Sequence, residues 1–320
     1  MNKLQSIMFG LVAISCFGAV AKTGVNETTD VKNINSTADG VGVSVVAVED
    51  NLIPLMKALI ESKELNISVT SSGDVPYSIT KNGLKMGISS RKWKDREVAQ
   101  FVEKYGYKPT ELYFTADVIA ILANDNNQTS SISLAELKTI FGCNSSPEVV
   151  RWADKNGQRG EPMVPFAIDE QLVMHREFST WVTCSEGAFT ATHFVPDQQA
   201  LLSELNGDVN ALGYTVYTDN MTDNKVLNVI NNLGETYDVN KETIFSGRYP
   251  LASVYYMYLN LPPNREYFNE QEEFFISLAL SDEQQSVLND YGFISLPIEA
   301  VHRNRIKLGL EKPMIEGGYR

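Results

Sequence analysis

The octapeptide MGISSRKW, at residues 86–93, is the most informative feature of the chain. Its apolar start is typical of a buried strand, and the hydroxyls of Ser89 and Ser90 follow, with the guanidinium of Arg91 directly after them. Residues 95–105 then have helical spacing. A strand followed by a hydroxyl-rich turn and a helix N-terminus commonly forms an anion-binding site. Because a Ser-Ser pair is also an ordinary helix cap, the motif alone leaves both interpretations open.

Short apolar runs alternate with helical spacing along much of the chain. Residues 41–48 are small and β-branched, as in a strand buried on both faces, and residues 52–60 place large aliphatic side chains on one helical face. Ser133 and Glu136 form a capping box, and Gly142 ends that helix. This alternation predicts an α/β fold with mixed, mostly parallel sheets flanked by helices. Further strands are expected at 66–70, 84–88, 112–123 and 163–168, and further helices at 171–182 and after a second capping box at Ser281 and Gln284.

The N-terminus has the pattern of an export signal. A positively charged start precedes an apolar run and a small-residue cleavage site that ends at Ala21. We therefore predict a signal peptide over residues 1–21 and a periplasmic mature protein. Attachment as a lipoprotein through Cys16 is the alternative. Residues 22–40 are rich in Thr, Asn, Asp and Ser without apolar periodicity, which predicts a disordered leader.

Two cysteines, Cys143 and Cys184, remain after that cleavage. In an exported protein such a pair predicts a disulfide bond, and the alternative is two buried thiols. The net charge of the whole chain is −13, which disfavours nucleic acid and anionic lipid as partners.

Enzyme signatures are missing from the sequence. The three histidines, His175, His193 and His302, lie far apart and lack the spacing of metal ligands. The chain has no nucleophile elbow, no phosphate-binding P-loop and no complete dinucleotide fingerprint. We therefore predict a protein with no catalytic residues, no metal site and no cofactor.

Other phrases follow the octapeptide in a fixed order: SLAELKTIFG at 133–142, YPL at 249–251 ahead of YYMYL at 255–259, and LSDEQQSVL at 280–288 before YGFISLP at 291–297. Together they resemble the phosphate-binding extracytoplasmic solute-binding proteins that feed ABC importers. The resemblance covers roughly residues 41–300, which is nearly all of the mature chain.

The resemblance implies a type II periplasmic-binding-protein fold with two lobes and a ligand cleft between them. Lobe 1 would comprise residues 41–116 and 246–320, and lobe 2 would comprise residues 117–245. The chain would cross between the lobes twice, forming a hinge that permits closure around a ligand. The implied protein is a monomer whose partner is an ABC permease or a membrane sensor.

In the resembled family four loops supply the ligand-binding groups, and this chain keeps part of them. The second and third loops survive, as Ser71-Ser72-Gly73 and as Ser89-Ser90-Arg91. The first reads Glu49-Asp50-Asn51, and the fourth reads Asp169 followed by Val173-Met174-His175. The ligand residues that the resemblance implies are Asp50, Asn51, Ser72, Ser89, Ser90, Arg91, Asp169 and His175.

The two aspartates decide what such a cleft accepts. A carboxylate within about 5 Å of a phosphate oxygen opposes it by several kcal/mol at an effective dielectric constant of about 20. If Asp50 and Asp169 instead cap helices, phosphate or a related oxyanion remains the expected ligand. If they line the cleft, a ligand bearing an amine or a cation is the alternative. A third hypothesis is an envelope sensor or interaction protein with a degenerate cleft.

Overall fold

The computed structural model describes residues 43–142, 150–153, 159–169, 173–182, 192–218, 221, 225–264, 268–278, 280 and 287–312. The strands in these ranges are β1 Ser44–Val48, β2 Ile67–Ser71, β3 Met86–Ser89, β4 Thr110–Ala123, β5 Ser131–Ser133, β6 Arg151–Ala153, β7 Arg159–Pro162, β8 Val164–Ile168, β9 His193–Val195, β10 Ala211–Val216, β11 Lys225–Ile230, β12 Thr236–Tyr237, β13 Ala252–Leu259 and β14 Phe293–Ile294. The helices are α1 Ile53–Glu61, α2 Val75–Thr80, α3 Asp95–Tyr105, α4 Leu134–Phe141, α5 Val173–Val182, α6 Gln198–Gly207, α7 Lys241–Phe245, α8 Glu270–Leu278 and α9 Ile298–Lys307.

Most of the strands join one mixed sheet in the order β2-β1-β3-β13-β4-β10-β8-β9, and β6 pairs with β7 in a separate ribbon. At one end β1 is parallel to both β2 and β3, and at the other β8 is parallel to β9 and β10. The centre is antiparallel, since β13 and β10 both run opposite to β4. The α/β architecture expected from the sequence is therefore confirmed. The expectation of mostly parallel sheets is wrong for the described strands, because β4 pairs antiparallel with β13, β10, β11 and β14.

The longest strand, β4, is shared by the two ends of this sheet. Residues 110–118 pair with β13, whereas residues 119–123 pair with β10. Its last residues also pair with β11, and Ala116 and Asp117 pair with β14. All residues from Phe114 to Ala123 except Thr115 and Asp117 are apolar, and the whole stretch is buried. Apolar side chains therefore fill both faces of this strand.

Helices cover both faces of the sheet on the β1–β3 side. The apolar stripe of α1 and the buried side of α8, including Phe275 and Ile276, pack on one face with β1, β3 and β13. On the other face α2 and α3 enclose an aromatic layer in which Trp93 stacks on Tyr258, with ring centroids 4.6 Å apart. Because Trp93 lies in the segment that follows β3, packing in this aromatic layer fixes the position of that segment.

The side chain of Asn304 fastens α9 to β4. Asn304 is fully buried, and its amide group exchanges two hydrogen bonds with the backbone of Tyr113, at 2.9 and 2.7 Å. In β4, Phe114 interrupts the register with β13 between Tyr255 and Tyr256. The amide therefore satisfies backbone groups beside an irregular part of the ladder, where an orphaned donor or acceptor would be costly.

The elements predicted from the sequence match closely where they can be compared. α3 has the predicted bounds, and it ends at Gly106, whose φ of 81° is the left-handed conformation that glycine favours. The capping box is present, since Ser133 Oγ accepts from the Glu136 N–H at 3.1 Å. The leader, the second capping box and residues 171–172 lie outside the described residues. None of the described helices has both the length and the apolar character that crossing a membrane requires.

Close packing of α2 against β3 depends on Gly87. A Cβ atom at this position would lie 2.6 Å from Val75 Cγ1, 3.1 Å from Ile79 Cδ1 and 3.1 Å from the Ala47 carbonyl oxygen. Since α2 directly follows the loop after β2, this contact also positions that loop.

We predict that Gly87→Ala lowers the free energy of unfolding by about 1–3 kcal/mol, because the added methyl group forces α2 away from the sheet. Gly207→Ala is the matched control, since nothing lies within 4 Å of a Cβ atom there. Chemical denaturation of both variants measures the effect. Equal stability of Gly87→Ala and the wild type would show that α2 is not seated as described.

Candidate functional site

Three loops meet at one edge of the sheet. Because β1, β2 and β3 are parallel, their carboxyl ends lie together, and Val48 pairs with both Ser71 and Ile88. We define the first loop as residues 49–52, the second as 72–74 and the third as 90–94. Loops at the carboxyl ends of parallel strands are the usual place for a ligand in an open α/β sheet.

The acidic side chains of the first loop contact the third loop and the end of β2. Glu49 Oε1 accepts a hydrogen bond from the backbone N–H of Ser90 at 2.8 Å. Asp50 Oδ1 accepts from the hydroxyl of Ser71. The helix that follows has Leu52 at its N-cap position, with no side-chain cap. Asp50 therefore joins the first loop to the end of β2, and the alternative that it caps α1 is not observed.

The second loop is organised around the hydroxyl of Ser72. Its Oγ lies 2.8 Å from Ser78 Oγ on α2, and it accepts weakly from the Asp74 N–H at 3.3 Å. Asp74 in turn caps α2, because its carboxylate accepts from the Tyr77 N–H at 3.0 Å. The loop is thus held by contacts to the helix that follows it.

The third loop carries the guanidinium of Arg91, which is held by an acidic side chain of α3. Both terminal nitrogens of Arg91 donate to Glu97, each at 2.8 Å, and Glu97 also accepts from the Lys94 N–H at 2.7 Å. The hydrogen bond to Glu97 raises the pKa of Arg91, and that from Arg91 lowers the pKa of the Glu97 carboxyl. This bidentate pair fixes the plane of the guanidinium at the start of α3. Ser89 is buried, with its Oγ 3.4 Å from the Arg91 N–H.

A buried polar chain connects the first loop to the centre of the sheet. The amide of Asn51 donates to the hydroxyl of Tyr255, which donates to Asp117 Oδ2 at 2.8 Å. Asp117 also accepts from the Ser253 N–H at 3.2 Å, and it is only 7% exposed. Sequence reasoning missed Asp117, although a carboxylate within the apolar stretch 114–123 was a usable signal.

Some predicted site residues lie elsewhere or outside the described ranges. Asp169 is an exposed residue directly after β8, and its N–H donates to the Val195 carbonyl at 2.9 Å. Three strands, β13, β4 and β10, lie between β3 and β8 in the sheet. The side chain of His175 and both Cys143 and Cys184 lie outside the described residues. The structure thus brings together six of the eight predicted ligand residues, which are Asp50, Asn51, Ser72, Ser89, Ser90 and Arg91.

The edge carries donor groups of the kind that bind anions, and carboxylates of the chain itself accept from several of them. Hydroxyls, a backbone N–H and a guanidinium are the donors that bind oxyanions. Here Ser90, Ser71 and Arg91 each donate to a carboxylate of the chain itself. Within the described residues no three histidine, cysteine, aspartate or glutamate side chains are grouped to hold a metal ion.

Comparison with known proteins gives consistent matches. A family model described as a PBP superfamily domain matches residues 27–283. The phosphate-binding protein PstS of Pseudomonas aeruginosa is 26% identical over 325 residues, which cover 96% of this chain and all of that protein.

Solved structures share the fold. A possible phosphate binding protein from Planctomyces limnophilus superposes with a TM-score of 0.65 at 18% identity, covering 85% of this chain and 99% of that one. PstS from Borrelia burgdorferi superposes with a TM-score of 0.56 at 16% identity, covering 79% of this chain and 98% of that one. These likenesses confirm the predicted two-lobed α/β fold.

The ion pair between Arg91 and Glu97 should make the stability of the protein depend on pH. Because the pKa of Glu97 is lowered in the folded protein, its contribution to stability is present at neutral pH and is lost as the pH falls through that folded-state value. We expect Glu97→Gln to lower the free energy of unfolding by about 1 kcal/mol at neutral pH. Below about pH 4 the unfolded carboxyl is already protonated and the folded carboxyl follows at lower pH, so the difference from the wild type should shrink.

Chemical denaturation across this pH range measures that difference. Glu103→Gln, on an exposed position of the same helix, is the control and should change stability by less than about 0.5 kcal/mol. A stability loss in Glu97→Gln that stays constant with pH would contradict the charge-assisted pair.

Proposed function

The chain belongs to the PBP superfamily, and from that premise we propose that it is a periplasmic solute-binding protein that captures phosphate or a related small oxyanion for an ABC importer. The observation that carries this proposal is the edge at which the three loops meet. It places the hydroxyls of Ser71 and Ser72, the Ser90 N–H and the Arg91 guanidinium at the same edge of the sheet, each in a hydrogen bond of its own. The relative from Pseudomonas aeruginosa, named a phosphate-binding protein, matches over its whole length.

We further propose the two lobes that the sequence suggests, with lobe 1 at 41–116 and 246–320 and lobe 2 at 117–245. The change of partner along β4 between residues 118 and 119 supports the first crossing. At the second, the hydroxyl of the buried Tyr249 donates to the Ile119 carbonyl at 2.9 Å. Closure of lobe 2 onto lobe 1 would bring Asp169 and His175 toward the three loops, and the closed form would be presented to a permease or sensor.

The proposed function also includes export of the protein and a disulfide bond between its two remaining cysteines. The signal peptide would be removed near Ala21, and the oxidising compartment would favour a bond between Cys143 and Cys184. Alkylation and mass spectrometry of the non-reduced protein tests that bond, since two alkylated thiols would exclude it. We propose binding without catalysis and a monomeric protein, in keeping with relatives that are named as binding proteins rather than enzymes.

A second candidate ligand has a specific observation in its favour. Glu49 and Asp50 are both carboxylates of the first loop; Glu49 contacts the third loop, and Asp50 contacts the end of β2. A ligand that carries an amine or a cation would be attracted by these charges, whereas an oxyanion must compete with them.

We predict that phosphate raises the melting temperature of the phosphate-free mature protein. A ligand that binds only the folded state stabilises it by RT ln(1 + [L]/Kd), so the shift should grow with phosphate concentration in the millimolar range. Sodium chloride at matched ionic strength is the control. No shift with phosphate, together with a shift for a polyamine or a divalent cation, would overturn the oxyanion proposal in favour of the second candidate.

A further inference from the structure

The contact between Glu49 and Ser90 follows from strand register. β1 and β3 are adjacent and parallel, with Val48 paired to Ile88, so the first loop and the third loop leave the sheet side by side. Glu49 is the first residue after β1, and its half-buried side chain reaches across to the Ser90 N–H at 2.8 Å. The carboxylate therefore lies on the third loop, away from its own helix.

A carboxylate oxygen and a phosphate oxygen are acceptors of the same kind. Each seeks N–H donors with a charge-assisted geometry, and one N–H has room for one such acceptor at full strength. We propose that Glu49 is a specificity-determining residue whose tethered carboxylate competes with the ligand oxyanion for the Ser90 N–H. This inference rests on the proposed function and adds which residue of the chain sets the affinity.

The contact of Glu49 differs from the other internal acceptors at this edge. The Ser71 hydroxyl, which donates to Asp50, can rotate, so a ligand can approach it from another direction. The Arg91 guanidinium, which donates to Glu97, has five N–H donors and can bind a second anion. The Ser90 N–H is a backbone donor with one fixed direction, so an oxyanion must displace the carboxylate that occupies it.

The charge of Glu49 also acts on the guanidinium of the third loop. The pKa of Arg91 is raised first by its hydrogen bond to Glu97, and the charges of Asp74 and Glu49 raise it further. Glu49 therefore offsets part of the positive field that Arg91 would offer to an anion. A displaced carboxylate remains tethered nearby, so this opposition persists after the hydrogen bond is lost.

Calorimetric titration of phosphate into the wild type, Glu49→Gln and Glu61→Gln tests the proposal. Glutamine keeps the size of the side chain and removes its charge, so we expect Glu49→Gln to bind phosphate at least about tenfold more tightly. Glu61 is exposed at the far end of α1, and Glu61→Gln makes the same change in net charge. That control should leave the dissociation constant within about twofold of the wild type, as expected for a screened, distant charge.

A second variant separates the hydrogen bond from the charge. Glu49→Asp keeps the carboxylate and shortens its reach by one methylene group, so it should bind phosphate more tightly than the wild type but less tightly than Glu49→Gln. Thermal unfolding of each variant shows whether it is folded. A dissociation constant for Glu49→Asp equal to that of the wild type would overturn competition for the N–H.

The outcomes separate this inference from the proposed function. Phosphate binding that is equal in the wild type and Glu49→Gln would overturn the role of Glu49 and leave the proposed function in place. Binding by Glu49→Gln alone would support the role of Glu49 and overturn phosphate as the wild-type ligand. Absence of binding in both folded proteins would overturn both.

Discussion

The backbone hydrogen bonding of β4 is the constraint on which the rest of the structure depends. This strand has β13 beside its first nine residues and β10 beside its last five, so one segment of chain orders both ends of the sheet. The side chain of Asn304 and the strand β14 satisfy further backbone groups along it. Burial of so much peptide backbone is tolerable only when its donors and acceptors are paired. Any partner of β4 that was lost would therefore expose polar groups at the centre of the molecule.

The candidate site is linked to this strand through a buried carboxylate. Asp117 receives hydrogen bonds from Tyr255 and from the Ser253 N–H, and Tyr255 also receives one from Asn51 in the first loop. The first loop is thus connected to β4 close to the point where this strand changes partners. In the two-lobed account this point is the hinge, so the polar chain offers a physical route between lobe movement and the first loop. The donors at the loops meanwhile contact carboxylates of the chain, which makes the chain's own acidic groups competitors of an incoming anion.

Sequence reasoning predicted those parts of the fold whose signals are local. The bounds of α3 follow from its apolar spacing and from Gly106, and β4 follows from an apolar run too long to be a loop. The set of loops that meet was implied by the resemblance to the solute-binding proteins. What the sequence did not reveal is the direction of individual side chains. Asp50 was expected to line a cleft or to cap a helix, and it binds the Ser71 hydroxyl. Glu49 and Asp117 act through partners 41 and 138 residues away, which no local pattern specifies.

A pair of crystal structures of the mature protein, one free of phosphate and one grown in its presence, tests the central claim most directly. The claim is that the three-loop edge is the oxyanion site and that Glu49 occupies it in the absence of ligand. The account predicts that the Glu49 carboxylate accepts from the Ser90 N–H in the first crystal. In the second, a phosphate oxygen should replace it, with the carboxylate turned away. Phosphate bound to other parts of the molecule, or phosphate at this edge with the contact between Glu49 and Ser90 intact, would contradict the account.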